Sequence, residues 1–387
     1  PRWVTHPHRT SYKRLFLLKG NISTMVGKLY DDNDSIRDAG YTIFYMSINI
    51  GSILGFAICG YLGESIGWHW GFGAAGVGML LGVYQFIKYK HLLNGAGAHP
   101  NSMDETKRKK LKSYFYFILI VFSLLIAAMF FGGVSIDPVG FAESYAYFLV
   151  IIAGLYFIYL FLLAGLSSDE KKNLVLLFFL FVGAAAFWSG FDQSGGSLTD
   201  FAKKHTNLDI LGFKLPISWM NLANPIYVVL FAPIFAGIWS NLALRNLDPS
   251  LPMKFALGLM LMALSFILML YAVDAALAQE KVGIQWLLLT YLLHTWGELA
   301  LSPIGLSAFS RYAPKKYVGQ MFGLWFTASA IGGVLAGLLG GEATGEGLES
   351  MTPIFSFMIK YYLVIALILA VLSLVIKPAK NAFDKSD

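Results

Sequence analysis

The chain has 387 residues, of which 57% are hydrophobic and only 13% are charged, and its mean hydropathy is +0.62. A soluble domain carries roughly 25% charged residues, and several apolar runs here exceed the ~18 residues that mark a transmembrane helix. The composition therefore excludes a soluble globular protein and predicts an all-α polytopic membrane protein. The net charge of +6 is explained by Lys and Arg in cytoplasmic loops and not by a nucleic-acid partner.

Apolar runs predict eleven helical segments along the chain. The first is short and interrupted by polar residues. It follows a basic stretch, residues 1–14, that lacks the apolar core of a signal peptide. In chain order the segments are 15–30, 41–62, 70–88, 113–134, 143–166, 172–191, 222–244, 254–278, 284–311, 317–341 and 354–377.

The segments predict six regions: an atypical basic N-terminus at 1–14, a helical region at 15–90, a cytoplasmic linker at 91–112, a helix pair at 113–171, a six-helix bundle at 172–377 and a cytoplasmic tail at 378–387. If every segment spans, most Lys and Arg of the loops fall on one side. The opposite loop 340–352 holds three glutamates and no Lys or Arg. This bias predicts a cytoplasmic C-terminus.

Glu298 lies near the middle of the segment 284–311. An ionised carboxylate inside a membrane costs about 2.5–3.5 kcal/mol or more, so it must face a partner or a wet cavity. Either a structural link between helices or a functional site would satisfy this need. Pro303 removes a backbone donor, and Gly297 and Ser302 are small. Together they predict a kinked gating element.

Lys19 lies in the short first segment, in "LFLLKGNISTMVG". It is either an interfacial lysine whose ammonium reaches the headgroups or a buried cation. If both Lys19 and Glu298 are buried, we expect them to pair, because each alone would be heavily penalised. Protonation of the glutamate would then release the lysine, which is a minimal proton-driven switch.

Further polar and aromatic residues in apolar surroundings leave two interpretations open. Asn49 and Asn224 either link helices or contact a substrate, and Asp192 is either functional or a water-exposed helix end. Trp188 and Trp325 either line a pocket or pack. His294 stands alone in an apolar helix and is predicted to be a satisfied core histidine. Catalytic motifs such as H-E-x-x-H and G-x-S-x-G are absent from the sequence, so no enzyme is indicated.

Four stretches carry a resemblance to a known family: "LLKGNISTMVGKLYDDNDSIRDAGYTIFYMSINIGS", "FWSGFDQSGGSLTDFA", "WMNLANPIYVVLFAPIFAGIW" and "GELALSPIGLSAFSRYAPKKYVGQMFGLWFTASAIGG". Their order and spacing resemble the proton-dependent oligopeptide transporters of the major facilitator superfamily. The resemblance implies a bacterial, multi-pass inner-membrane symporter of di- and tripeptides. It implies no cofactor besides the coupling proton, and we expect a monomer.

The resemblance also implies roles for individual residues. Proton coupling would involve Lys19, Glu298 and Asp192, the last gating with an arginine of the family's first helix. Peptide binding would involve Asn49, Asn224, Glu298, Ser329, Trp188 and Trp325. Gly297, Ser302 and Pro303 would form the gating break in the helix.

The sequence departs from the family pattern in three ways. Gly20 follows Lys19 where the family usually has Pro, and Asp192 stands for the usual Glu. The family's first three helices have no counterpart here, so the resemblance implies that 15–90 is a remnant of the N-terminal bundle (helices 4–6 of the family) and that 113–171 is a pair of extra helices between the two halves of the major-facilitator bundle. We therefore expect the parent protein to transport and this chain alone not to. A transporter of nitrate or another small solute, or a non-transporting remnant, are the alternatives. Because nitrate needs no acid for an amino end, Glu298 favours peptide.

Overall fold

The computed structural model describes residues 35–93, 105–131, 137–279, 281–314, 316–345 and 347–375. Its α-helices are α1 (Ser35–Leu54), α2 (Tyr61–Ser65), α3 (Trp68–Tyr89), α4 (Glu105–Phe130), α5 (Pro138–Leu162), α6 (Ser168–Phe191), α7 (Ser197–His205), α8 (Ala223–Leu244), α9 (Leu251–Gln279), α10 (Gln285–Arg311), α11 (Val318–Gly345) and α12 (Met351–Val375).

The predicted all-α architecture is confirmed, since ten of the eleven predicted segments correspond to long helices or helix runs. The eleventh, 15–30, lies outside the described residues. Among the described residues, nine helical stretches are long and apolar enough to cross a membrane. Helix α10 has 27 residues but is not among the nine, because its polar side chains lower its mean hydropathy.

A π-helical turn, Gly55–Gly60, joins α1 to α2. A short turn at Gly67 (φ 152°) then reverses the chain into α3. The α2–α3 hairpin is tight. A Cβ on Gly71 would lie 2.6 Å from the carbonyl oxygen of Cys59 and 3.1 Å from the Cα of Gly63. Glycine is required at this approach because any side chain would collide with backbone.

The stretch 192–221, which connects two of the predicted helical segments, is itself structured. It contains a 3₁₀ turn (Asp192–Gly195), α7, a hairpin of β1 (Asp209–Ile210) with β2 (Phe213–Lys214), and a 3₁₀ helix (Ile217–Leu222). Helix α7 forms here because one of its faces is apolar: Leu198, Phe201 and Ala202 are all fully buried. The sequence analysis missed α7 because a helix of nine residues with one buried face is too short to give the pattern of a membrane span.

Helices α6, α9, α10, α11 and α12 form the main core. Helix α9 packs chiefly against α12 and α10, and α6 packs against α11. Five phenylalanines in this core are fully buried: Phe187, Phe255, Phe266, Phe309 and Phe355. Helix α6 begins at a capping box, in which Ser167 Oγ accepts from the Glu170 N–H and Glu170 Oε2 accepts from the Ser167 N–H. Such a box satisfies two donors at the helix start.

The chain divides into two compact units, residues 1–44 with 81–141 and residues 45–80 with 142–387. The first contains α4, whose apolar side chains, such as Phe117 and Phe122, are more than half exposed. The second contains the core helices and every contact of the candidate site. The predicted region boundaries stay a prediction.

Candidate functional site

A cavity of about 170 Å³ lies within the second unit. Its wall mixes amide, hydroxyl, imidazole and aromatic groups from α1, the π-helical turn, the end of α6 and the 3₁₀ turn after it, the 3₁₀ helix before α8, the start of α8 and the middle of α10. The lining residues are Asn49, Ser52, Phe56, Phe191, Ser194, Asn221, Asn224, Pro225, Tyr291 and His294. Predicted site residues Asn49 and Asn224 therefore reach one cavity.

Glu298 stands behind this wall, one hydrogen bond away from the cavity. The Asn224 side-chain amide donates to Glu298 Oε2 at 2.9 Å and to Thr295 Oγ1 at 3.1 Å. Glu298 is half-buried and is not itself among the lining residues. Asn224 lies in the first turn of α8 and also lines the cavity. A change in the charge of Glu298 would therefore act on the cavity through the Asn224 side chain.

The polar residues of α10 share a helix face. Tyr291, His294, Thr295 and Glu298 follow the i, i+3, i+4, i+7 spacing of one side of a helix. Thr295 Oγ1 donates to the Tyr291 carbonyl at 2.8 Å, which leaves an oxygen lone pair for Asn224. This polar stripe explains why a span-like segment contains so many hydrogen-bonding groups.

His294 corrects one expectation. The sequence predicts a satisfied core histidine, and the ring is buried, with 1% of the residue exposed. However, both ring nitrogens lack a hydrogen-bond partner among the described residues, and the ring lines the cavity. The sequence prediction rested on the apolar residues around His294. Those residues do not reveal that a cavity lies beside the imidazole ring.

Asp192 follows the last residue of α6 as its C-cap, so the prediction that it ends a helix is confirmed. A Cβ on Gly333 of α11 would lie 3.1 Å from Asp192 Oδ2, which means that the carboxylate lies directly against that helix. The next residue, Gln193, is 1% exposed. Its amide donates to the Ala336 carbonyl of α11 at 2.9 Å, and its oxygen accepts from Ser197 Oγ at 2.7 Å.

The tryptophans and Ser329 do not line this cavity. Trp325 is 5% exposed and packs edge-on or tilted against Phe255 and Phe309. Trp188 contacts Phe187 and Phe191 edge-on, so it lies behind a lining residue. Ser329 is half-buried on α11. A peptide-binding role for these two tryptophans and for Ser329 stays a prediction.

The small residues of α10 allow close helix contacts. A Cβ on Gly297 would lie 2.9 Å from the Gly258 carbonyl oxygen and 2.9 Å from the Phe187 ring. Helix α10 is nevertheless continuous from Gln285 to Arg311 with Pro303 inside it, and the Ser302 hydroxyl is buried without a partner among the described residues. A gating role for Gly297, Ser302 and Pro303 stays a prediction.

One contact near the cavity was not anticipated from the sequence. Glu64 of α2 accepts from the backbone N–H groups of Ile217 (2.7 Å) and Ser218 (2.8 Å). The Trp219 indole donates to the Ala57 carbonyl at 3.2 Å. We call these contacts the Glu64 latch; they join the α1–α2 region to the 3₁₀ helix before α8. In the sequence, the only hint of this contact is the acidic Glu64 after Gly63 within an apolar run. A charged residue near a helix end is usually solvated, so the hint does not single out a buried contact.

Lys19, the expected partner of Glu298, lies outside the described residues. The predicted ion pair between them stays a prediction.

The described helices, nine stretches of which are long and apolar enough to cross a membrane, define a multi-pass membrane protein, and the cavity with amide, hydroxyl and imidazole groups in its wall is its candidate solute site. The profile of the POT family (PTR2) matches residues 17–341, and the chain belongs to this family.

Three relatives show the range of the similarity. The peptide transporter YePEPT of Yersinia enterocolitica subsp. palearctica is 35% identical over 378 residues, which cover 96% of this chain and 73% of that protein. The di-/tripeptide transporter of Lactococcus lactis subsp. cremoris is 31% identical, with 93% and 72% covered. A crystal structure of a peptide transporter POT in complex with sulfate is 33% identical, covers 93% of this chain and 72% of that chain, and has a TM-score of 0.82.

Proposed function

We propose that this protein carries out proton-coupled symport of di- and tripeptides across a bacterial inner membrane by alternating access. Its family is a transporter family, and relatives more than 30% identical are described as peptide or di-/tripeptide transporters. The observation that carries the proposal for this chain is the Asn224–Glu298 hydrogen bond beside the polar cavity.

The chemistry of a short peptide suits this arrangement. A peptide carries an ammonium and a carboxylate at a nearly fixed separation, with variable side chains between them. In the proposal, Glu298 and Asn224 hold the ammonium end, and Asn49 contacts the backbone from the facing wall. Lys19 would serve the carboxylate end and pair with Glu298 when no peptide is bound.

Proton coupling follows from the carboxylates. Asp192 and Glu298 would each take up a proton during the cycle, and loss of the Glu298 charge would weaken its attraction for Lys19 and for an ammonium. A membrane potential contributes about 2.3 kcal/mol per charge per 100 mV, which is enough to drive such a step. The expectation of a monomer and the cytoplasmic C-terminus belong to the same proposal.

The test uses the purified protein reconstituted into liposomes. With an inward proton gradient we expect labelled Ala-Ala to accumulate and the lumen to acidify further when peptide is added. Nitrate should give neither signal. Nitrate-stimulated proton flux without a peptide response would favour the small-solute alternative, and no flux with either solute would favour a non-transporting protein.

A further inference from the structure

Two polar side chains on the cavity wall have no partner for their polar atoms. His294 is 1% exposed and Tyr291 is 2% exposed. Both imidazole nitrogens and the tyrosine hydroxyl lack a hydrogen-bond partner among the described residues. Both residues line the cavity. The large majority of buried side-chain polar atoms have a partner in protein or water, so three together call for an explanation.

The imidazole makes no hydrogen bond to the side chains around it among the described residues. The His294 ring lies 6.1 Å from the Phe191 ring, 5.7 Å from the Phe266 ring and 6.3 Å from the Tyr291 ring, centre to centre. The two phenylalanines offer no hydrogen-bonding group. The cavity that the ring lines can hold such a group, either as water or as part of a ligand.

The position along α10 indicates which part of a ligand would reach these groups. His294 lies four residues before Glu298 on the same helix face, a rise of about 6 Å, and Tyr291 lies three residues further. If Glu298 and Asn224 hold the peptide ammonium, a group about one helix turn away belongs to the first residue of the peptide. A cavity of about 170 Å³ has room for such a side chain.

We infer that His294 and Tyr291 form a hydrogen-bonding subsite for a polar side chain on the amino-terminal residue of the peptide. The inference rests on the proposed function and names the substrate class that the same site prefers. A neutral imidazole presents one donor and one acceptor, and the phenol presents both. A hydroxyl or carboxamide side chain complements this set, and an aliphatic side chain does not.

Selectivity depends on whether the polar atoms of His294 and Tyr291 find hydrogen-bond partners on the bound peptide. A site built to hydrogen-bond a substrate group rejects the analogue that lacks it, because its own buried polar groups stay unpaired. Threonine and valine have nearly the same shape and differ in one hydroxyl. We therefore expect Thr-Ala to compete for uptake about tenfold more strongly than Val-Ala, the ratio that one hydrogen bond supplies.

The experiment measures half-inhibitory concentrations of Thr-Ala and Val-Ala against labelled Ala-Ala uptake, in the same liposomes. The double variant His294→Leu, Tyr291→Phe should bring the Val-Ala to Thr-Ala ratio close to one. His294→Gln, which keeps a donor and an acceptor, should retain part of the preference. Tyr271→Phe is the matched control: Tyr271 lies on α9 and is 62% exposed, so the ratio should stay at the wild-type value.

Because both peptides are compared within each variant, a lower amount of folded protein does not alter the ratio. Tyr291→Phe alone removes a single oxygen and covers the case in which the double variant does not fold. A wild-type ratio of one, with Ala-Ala uptake present, overturns the subsite and leaves transport standing. A preference that persists in every variant also overturns it. If the wild-type protein takes up no peptide, the proposed function fails and the subsite falls with it.

Discussion

At the scale of single residues, the environment of Glu298 decides what its carboxylate can do. Asn224 donates to Glu298 Oε2 at 2.9 Å, and a hydrogen bond to a charged group is stronger than one between neutral groups. The same amide also reaches Thr295. The carboxylate is therefore held toward α8 and the cavity wall and not toward lipid, as a site for an ammonium requires.

Glu298→Gln separates binding from proton coupling. The glutamine oxygen can still accept from Asn224, but the side chain cannot exchange a proton. We expect accumulation of labelled Ala-Ala against its gradient to be lost and counterflow exchange, which needs no net proton movement, to be partly retained. Both are measured in the liposomes described above.

Glu349→Gln is the matched control for Glu298→Gln, since Glu349 is exposed in a connecting turn. It should behave like wild type in both assays. Unchanged accumulation by Glu298→Gln would remove Glu298 from the coupling mechanism.

At the scale of secondary-structure elements, the contact between α9 and α10 depends on two glycines. A Cβ on Gly297 would lie 2.9 Å from the Gly258 carbonyl oxygen, and one on Gly258 would lie 3.0 Å from the Gly297 carbonyl oxygen. Small residues at such positions let helix backbones approach closely in membranes. This contact fixes the rotation of α10 and hence the direction of its polar stripe.

Gly297→Ala should lower stability despite the better helix propensity of alanine. Overpacking costs typically 1–3 kcal/mol, more than the ~1 kcal/mol gained by replacing glycine in a helix. We expect a lower thermal unfolding midpoint in detergent. Gly337→Ala on α11 is the control, because nothing lies within 4 Å of its added Cβ, and its midpoint should stay or rise. Equal midpoints for the two variants would contradict the tight α9–α10 contact.

The Glu64 latch is the second element-scale contact with a functional consequence. A carboxylate that accepts two backbone N–H groups at 2.7 and 2.8 Å holds the 3₁₀ helix Ile217–Leu222 against α2. The packing behind it is close, because a Cβ on Gly60 would overlap the side chain of Ser218. In an alternating-access cycle, such a contact is expected to form in one state and to break in another.

Weakening the latch should expose the buried Ser218 position. In a Cys59→Ser background, the variant Ser218→Cys places a thiol where the serine hydroxyl is now buried. Addition of Glu64→Gln removes the charge and should raise the labelling rate with a membrane-impermeant maleimide several-fold. Glu349→Gln in the same background should leave the rate unchanged. Equal rates for both glutamate variants would mean that Glu64 does not hold this contact.

At the scale of the whole molecule, the distribution of charge predicts how the chain sits in the membrane. Basic residues such as Lys88 and Lys172 lie near helix ends that the alternation of spans predicts to be on one side, and the predicted loop 340–352 holds glutamates without Lys or Arg. Positively charged loops stay in the cytoplasm, so the C-terminus is expected there and the β1–β2 hairpin on the opposite face.

Reporter fusions test this orientation. A C-terminal fusion to green fluorescent protein should fluoresce, and one to alkaline phosphatase, which requires an oxidising compartment for its disulfides, should be inactive. Insertion of the phosphatase at the exposed hairpin tip Leu211–Gly212 should give an active enzyme, since exposed loop tips tolerate insertions. The reverse pattern would overturn the orientation.

The ten predicted segments that the structure describes are long helices because a bilayer leaves few other ways to satisfy the backbone of an apolar run. The same argument could not find α7, whose nine residues bury one face only. Glu298 and Asn224 were each predictable as candidate site residues because polar groups are costly among apolar residues, but the hydrogen bond between them was not predictable. Gln193 and Glu64 were missed because each acts through backbone groups of a distant segment, and backbone leaves no trace in composition.

The sequence by itself determined the class of this protein, its helices and most of the polar residues that deserve a functional test, because the membrane penalises each polar group within a helix. Only the tertiary structure decided which of these groups meet. It brought Asn49, Asn224, Tyr291 and His294 to one cavity, placed Glu298 one hydrogen bond behind it and packed Trp325 into the core. The reason is that helix rotation and glycine contacts, not the order of residues along one helix, decide which side chains face each other.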